Sequence, residues 1–158
     1  MFIEQKQYEE IIKIFPRACV DILIVDEQER VLLLLRENEP AQGQWWFPGG
    51  RIHFGETRLE AARRKLKEEC ALEVTKLAEV ATFDLFFTAT GITFHDVTIL
   101  FKMVVSSNAK IQTDKQAKDY GWFTPEEYGA FNLHPYVLEN LKKVIKKAEC
   151  NPLTKAEA

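Results

Sequence analysis

Glu56, Glu68 and Glu69 fall within GRIHFGETRLEAARRKLKEECAL, residues 50–72, directly after the turn residues Pro48, Gly49 and Gly50. Three carboxylates on one helix and the loop before it can clamp a divalent cation. Such a cation neutralises the several negative charges that a diphosphate brings into a small site. The chemistry these residues suggest is therefore metal-dependent hydrolysis of a diphosphate compound. Arg64 stands four residues before Glu68 and Lys65 four before Glu69, so each pair can meet on the helix surface. Without further context, those pairs describe an ordinary solvated face.

The elements around these groups must position them. Pro48, Gly49 and Gly50 form a turn that lets backbone carbonyls approach a ligand closely. Thr57 and Glu60 have the spacing of a capping box, which predicts a helix from Thr57. Leu59, Ala62, Leu66 and Cys70 recur at three and four, an apolar stripe that turns this helix towards a core. Tyr8, Ile11, Ile12 and Phe15 mark one face of an opening helix that Pro16 should stop. Residues 18–25 and 31–36 read as strands around a polar turn at 26–30, and Asp21 lies inside the first. An acid there is either a half-exposed alternating position or a substrate contact. Residues 74–87 and 92–105 have the aromatic and β-branched content of two long strands joined by a turn at 88–91. A short strand at 119–123 follows, and Thr124, Pro125 and Glu127 have the cap, N1 proline and N3 acid of a helix start. Val137, Leu138, Leu141, Val144 and Ile145 fit a final amphipathic helix, and the polar residues 151–158 read as a frayed tail. Strands grouped around one central helix, with another helix at the end, predict an α/β fold with a mixed sheet between helical layers. Trp45, Trp46, Phe47 and Phe86 have the shape to stack on a nucleobase, but aromatic residues beside strands read first as core.

Residues 50–72 resemble the Nudix box, G-x5-E-x7-R-E-U-x-E-E-x-G-U with U a bulky aliphatic residue: Gly50, Glu56, Arg64, Glu68, Glu69 and Leu72 fall in register. The resemblance implies a Nudix-type α/β/α sandwich with a central mixed β-sheet, formed by residues 1–150 as one domain. Two positions depart from the box. Lys65 replaces the glutamate after arginine, removing a carboxylate that in the family binds a second metal or helps to activate water. Ala71 replaces the late glycine, which matters little if the helix ends without a left-handed residue. The segment RENEPAQGQWWFPGGR, residues 36–51, is further similar to the GDP-mannose mannosyl hydrolases, a Nudix branch that also lacks the glutamate after arginine. In that branch one Mg2+ neutralises the diphosphate, and water attacks the sugar anomeric carbon.

Carried over residue by residue, the resemblance implies a metal set of the Gly49 carbonyl, Glu69 as main carboxylate and Gln116 as late ligand, with Glu68 a further ligand or base. Mg2+ is the implied ion, and Mn2+ an alternative. Asp21, Arg36, Arg51 and Arg64 match residues that position the substrate or stabilise the departing diphosphate, a task suited to arginine forks. Ala117 stands where the branch has its histidine general base. His95, His134 and Glu68 are the candidates to replace that base, His95 preferred over His134 because its strand runs towards the region holding Gln116. The function implied is release of sugar from a nucleotide sugar of GDP-mannose type. Attack at phosphorus is the enzymatic alternative, favoured by Glu68. A catalytically silent nucleotide-binding module is the other, favoured by Lys65 and Ala117.

Bulk properties exclude several rivals. A chain of 158 residues with 46% hydrophobic and 28% charged residues is long enough to bury one sizeable core. A net charge of −3 and the lack of a basic tract give no general attraction to nucleic acid, so any nucleotide is held locally. Cys19, Cys70 and Cys150 are odd in number and lack metal-site spacing, which argues against a disulfide framework or structural zinc. No apolar run suits a signal peptide or a membrane span, so a soluble cytoplasmic protein is expected. The partner implied is a small nucleoside diphosphate derivative, with no nucleic acid and no membrane. The apolar face of the opening helix suits either packing on its own sheet or a homodimer, the latter implied by the related branch, which forms dimers.

Overall fold

A computed structural model describes residues 4–39, 41–74, 76–89, 91–131 and 133–149, the side chains of 5, 89 and 143–149 aside. The expected tail at 151–158 and Cys150 lie outside the described residues, as do the side chains of Val144 and Ile145. The strongest apolar run, Arg17–Asp26, forms β1 and is buried on both faces. Val20, Ile22 and Ile24 on one face meet Ala61, Ala62, Leu66 and Cys70 of the helix α2 (Arg58–Cys70). Leu23, on the other face, joins Val137 and Leu141 of the helix α3 (Pro135–Glu149). Each fully buried leucine contributes roughly 1.5–3 kcal/mol. Two apolar clusters on opposite faces of one strand are what make the fold an α/β/α sandwich.

The other strands are β2 (Val31–Arg36), β3 (Trp45–Trp46), β4 (Gly49–Arg51), β5 (Ala78–Ala89), β6 (Ile92–Val105) and β7 (Ala117–Phe123). Together with β1 they form one seven-stranded mixed sheet in the order β3-β2-β1-β6-β5, with β4 paired to β1 and β7 to β2. Among the described residues only β1 and β6 pair in parallel, from Arg17 opposite Asp96 to Asp26 opposite Val105. β1 and β2 pair at Val25 and Val31, next to a turn in which the Asp26 carboxylate accepts from the Gln28 and Arg30 amides at 2.9 Å.

Away from that turn, residues 44–51 run between β1 and β2. The Arg36 amide donates to the Gln44 carbonyl on one side, and the Ile22 amide donates to the Pro48 carbonyl on the other. The glycine segment read as a turn therefore contains a short strand, β4, bonded to β1. A Cβ on Gly49 would collide with the Asp21 carboxylate and the Val20 carbonyl, so only glycine allows this approach.

The expected capping box opens α2: the Thr57 hydroxyl accepts from the Glu60 amide at 3.2 Å, and the Glu60 carboxylate accepts from the Thr57 amide at 2.8 Å. The other end differs from expectation. Ala71 adopts a left-handed conformation, φ 53° and ψ 31°, and the amides of Ala71 and Leu72 both donate to the Leu66 carbonyl. A Cβ in that region costs about 1–2 kcal/mol, partly offset by the greater unfolded freedom of glycine. Ala71→Gly should accordingly stabilise the protein by about 0.5–1 kcal/mol, raising the thermal midpoint by about 2 °C. An unchanged or lower midpoint would show that the strain is relieved elsewhere.

Three further expectations are revised. The helix expected from Thr124 is a single 3-10 turn, Glu127–Gly129; the Thr124 amide still donates to Glu127 at 2.7 Å, but Gly129 does not propagate a helix. The first long strand begins at Ala78, four residues later than the pattern indicated. The opening helix, α1 (Gln5–Ile12), ends before Phe15; it buries Ile12 and leaves Ile11 exposed, as are Ile14 and Phe15 just after it. Among the described residues no helix is long and apolar enough to cross a membrane.

Candidate active site

Residues of β1, β4, β5, β6, α2, the end of β2 and the segment before β7 line one cleft of about 600 Å³, a size suited to a nucleotide-scale ligand. Asp21, Arg36, Gly49, Arg51, Arg64, Glu68, Glu69 and Gln116 all line it. Adjoining it, Glu69, Gln116, Arg36 and Ala117 line a recess of about 30 Å³, enough for a small ion or water.

Helical spacing explains the acidic wall. Arg64 and Glu68, and Lys65 and Glu69, form neighbouring columns four residues apart, while Leu66 and Cys70 point into the core. Glu69 is almost wholly buried. One carboxylate oxygen accepts from the Gly49 amide at 2.9 Å, and the other meets the Lys65 ammonium at 2.5 Å. Burial pushes the Glu69 carboxyl above its ordinary range, against the opposing pull of Lys65 and of the Gly49 amide.

Arg64 straps the loop before α2 to the helix. Its guanidinium donates to both oxygens of Glu56 at 2.7 and 2.9 Å, to the Arg51 carbonyl at 3.0 Å and to Glu68 at 3.2 Å. The hydrogen bonds from Arg64 hold the Glu56 carboxyl down at about 2, so this strap stays ionised at any ordinary pH. Arg51 lies over the Tyr8 ring at 4.7 Å, which makes α1 part of the cleft wall. Arg36 reaches the cleft where β2 and β7 slip register between Leu35 and Arg36.

Asp21 is buried, not half-exposed. It accepts from the Tyr136 hydroxyl of α3 at 2.9 Å. Burial pushes its carboxyl up to about 7, opposed by that hydrogen bond and by the nearby Arg36 charge.

His95 stands outside the cleft. On β6, Phe94, Asp96 and Thr98 face the cleft, so alternation turns His95 to the opposite side, where it stacks on Phe86 at 4.3 Å and meets Asp84 at 3.1 Å. This corrects the expectation of His95 as base: the strand passes the site, but the side chain faces away. His134 caps α3, its Nδ1 accepting from the Tyr136 amide at 3.2 Å. Trp46 and Phe47 line the cleft from the core, whereas Trp45 packs edge-on against Phe123 at 4.9 Å.

The sequence reading missed Asp114, which lines the recess and accepts from the Gln116 amide nitrogen at 3.3 Å and backbone N–H at 2.9 Å. The spacing of two residues, typical of an Asx turn, was its available signal. Also missed was the pair Arg17 and Asp96, joined by two hydrogen bonds of 2.6 and 2.7 Å in the cleft.

Among the described residues no three His, Cys, Asp or Glu side chains form a ready cage. The donors present are oxygen donors: the Glu69 carboxylate, the Gln116 amide and the Gly49 backbone. That set suits Mg2+, which keeps several waters and is held by one or two carboxylates together with substrate phosphates.

A mixed sheet between helices, with a carboxylate helix and a glycine strand beside an arginine-lined cleft, makes a site suited to phosphate-linked compounds. Residues 15–147 match the NUDIX domain family. The chain is 32% identical over 139 residues to the low-salt glycan biosynthesis protein Agl8 of Haloferax volcanii, covering 85% of this chain and 86% of that protein. It is 27% identical over 108 residues to the nucleoside triphosphatase NudI of Escherichia coli, covering 63% and 75% of the two chains. Its fold is similar to the NUDIX domain of Shewanella oneidensis NrtR, solved with ADP ribose, at a TM-score of 0.72 and 21% identity over 92% of this chain and 99% of that one. The protein belongs to the Nudix family and is a hydrolase of nucleoside diphosphate derivatives.

Proposed function

We propose that the protein is a Mg2+-dependent hydrolase of a nucleotide sugar of GDP-mannose type, releasing free sugar and nucleoside diphosphate. The observation that carries this reading is the recess where Glu69 and Gln116 meet beside Gly49, while a lysine occupies the position of the box glutamate. When bound, Mg2+ would neutralise the diphosphate and hold it against α2. Glu69 supplies the carboxylate, Gln116 its amide oxygen and Gly49 its carbonyl, with Glu68 a further ligand at the cleft mouth. Arg36 and Arg51 take up charge on the diphosphate as water adds to the anomeric carbon and the carbon–oxygen bond breaks. Arg64 keeps the loop before α2 in place, and Asp21, fixed by Tyr136, orients the substrate.

A second reading, attack at phosphorus, is supported by Glu68, which is half-exposed in the cleft beside Arg64 and Lys65. Incubation with GDP-mannose and Mg2+ separates the two: GDP with free mannose is expected, whereas GMP with mannose 1-phosphate would move the assignment to phosphorus. Tight binding without turnover of any nucleotide sugar or triphosphate would overturn the proposed activity. The same reading includes a cytoplasmic setting, supported by Cys19 and Cys70, which are buried free thiols. It also includes a homodimer through the exposed Ile11, Ile14 and Phe15, to be checked by light scattering.

A further inference from the structure

Lys65 is the least expected residue of the site. Its side chain is buried, with 7% of the residue exposed, and its ammonium lies between Glu69 at 2.5 Å and Glu68 at 3.3 Å. Glu69 is buried, whereas Glu68 is half-exposed, so the ammonium stands between a buried carboxylate and a solvent-facing one. Gly50 makes room for the stem: a Cβ there would lie 3.1 Å from Lys65 Cε. Gly50 also has φ 154°, a conformation that side chains disfavour.

Both oxygens of Glu69 are engaged, one by the Gly49 amide and the other by Lys65. A divalent ion placed on the Glu69 oxygen that Lys65 holds would push the ammonium away, because two cations on one carboxylate oxygen repel. The flexible four-carbon stem and three rotatable donors of lysine allow that displacement, and the cleft lies beside it.

We propose that Lys65 is a resident cation of the site. It holds the metal carboxylate Glu69 while no ion is bound. When the ion arrives, it turns outward to donate to diphosphate oxygens, taking the place and part of the charge of a second divalent ion. This rests on the assignment of Glu69 as metal ligand. It predicts opposite effects on two equilibria, which a merely structural lysine would not produce.

The test measures Mn2+ uptake by electron paramagnetic resonance and binding of GDP in saturating Mg2+ by calorimetry, using the full chain. Lys65→Met removes the charge and keeps the length. Mn2+ affinity without nucleotide should rise by about tenfold, and GDP affinity should fall by about tenfold. Lys65→Arg, which keeps the charge, should stay near wild type in both, and Lys65→Glu should bind one more Mn2+ than the parent. The proposal is overturned if Lys65→Met weakens both equilibria together, if it leaves Mn2+ affinity unchanged, or if the parent already takes up two ions. A parent that binds no Mn2+ would sink the Glu69 assignment as well. A single Mn2+ lost in Glu69→Gln but unmoved in Lys65→Met would sink this proposal alone.

Discussion

Glu69→Gln should lower Mg2+-supported turnover by about 10²-fold or more and weaken metal binding at least as much, since even outer-shell changes at metal sites cost about 10–100-fold. The geometry separates this effect from misfolding. A glutamine oxygen can still accept from the Gly49 amide, which Glu69 accepts at 2.9 Å, so the link between α2 and β4 survives. What is lost is the buried anionic partner of Lys65, whose ammonium meets Glu69 at 2.5 Å and keeps only the half-exposed Glu68 at 3.3 Å. A buried ammonium that loses its close partner destabilises the fold. The double variant Glu69→Gln with Lys65→Met should regain thermal stability without regaining metal affinity or turnover. A Glu69→Gln protein that binds Mg2+ and turns over like the parent would remove the basis of the proposed mechanism.

Ala117→His should raise turnover by about 10²-fold, the contribution of a positioned general base. Ala117 opens β7 and lines the recess shared by Glu69 and Gln116, so an imidazole there would stand beside the proposed ion. The pH profile supplies a second readout. A general base works when deprotonated, so the variant's added rate should increase as pH rises through the histidine pKa near 6.5 and be absent well below it. An unchanged rate and profile would mean that another group already serves as base or that chemistry does not limit turnover.

Much of the site was legible because its signals are local. The Thr57 and Glu60 capping box, the α2 stripe of Ala62, Leu66 and Cys70, and the columns of Arg64 with Glu68 and Lys65 with Glu69 depend only on helical spacing, and all appear as read. The resemblance to the GDP-mannose mannosyl hydrolases selected Gly49, Arg36 and Gln116 from distant segments, and the structure brings them to one cleft. Composition and spacing alone would not have joined residues 36, 49 and 116.

The sequence by itself determined the helix α2, its cap, the β1 and β2 strands and the charged columns of the carboxylate wall, because hydrogen bonds and side-chain periodicity within a few residues decide those features. Tertiary structure alone decided which polar groups meet. Asp21 pairs with Tyr136 across 115 positions, and Arg17 with Asp96 across 79. The parallel register of β1 on β6 and the packing of α3 on the sheet create these neighbours. The same register faces Asp96 to the cleft and, by strand alternation, turns His95 away. Burial of Lys65 beneath Gly50 has the same origin, since β4, bonded to β1, carries Gly50 over the lysine stem.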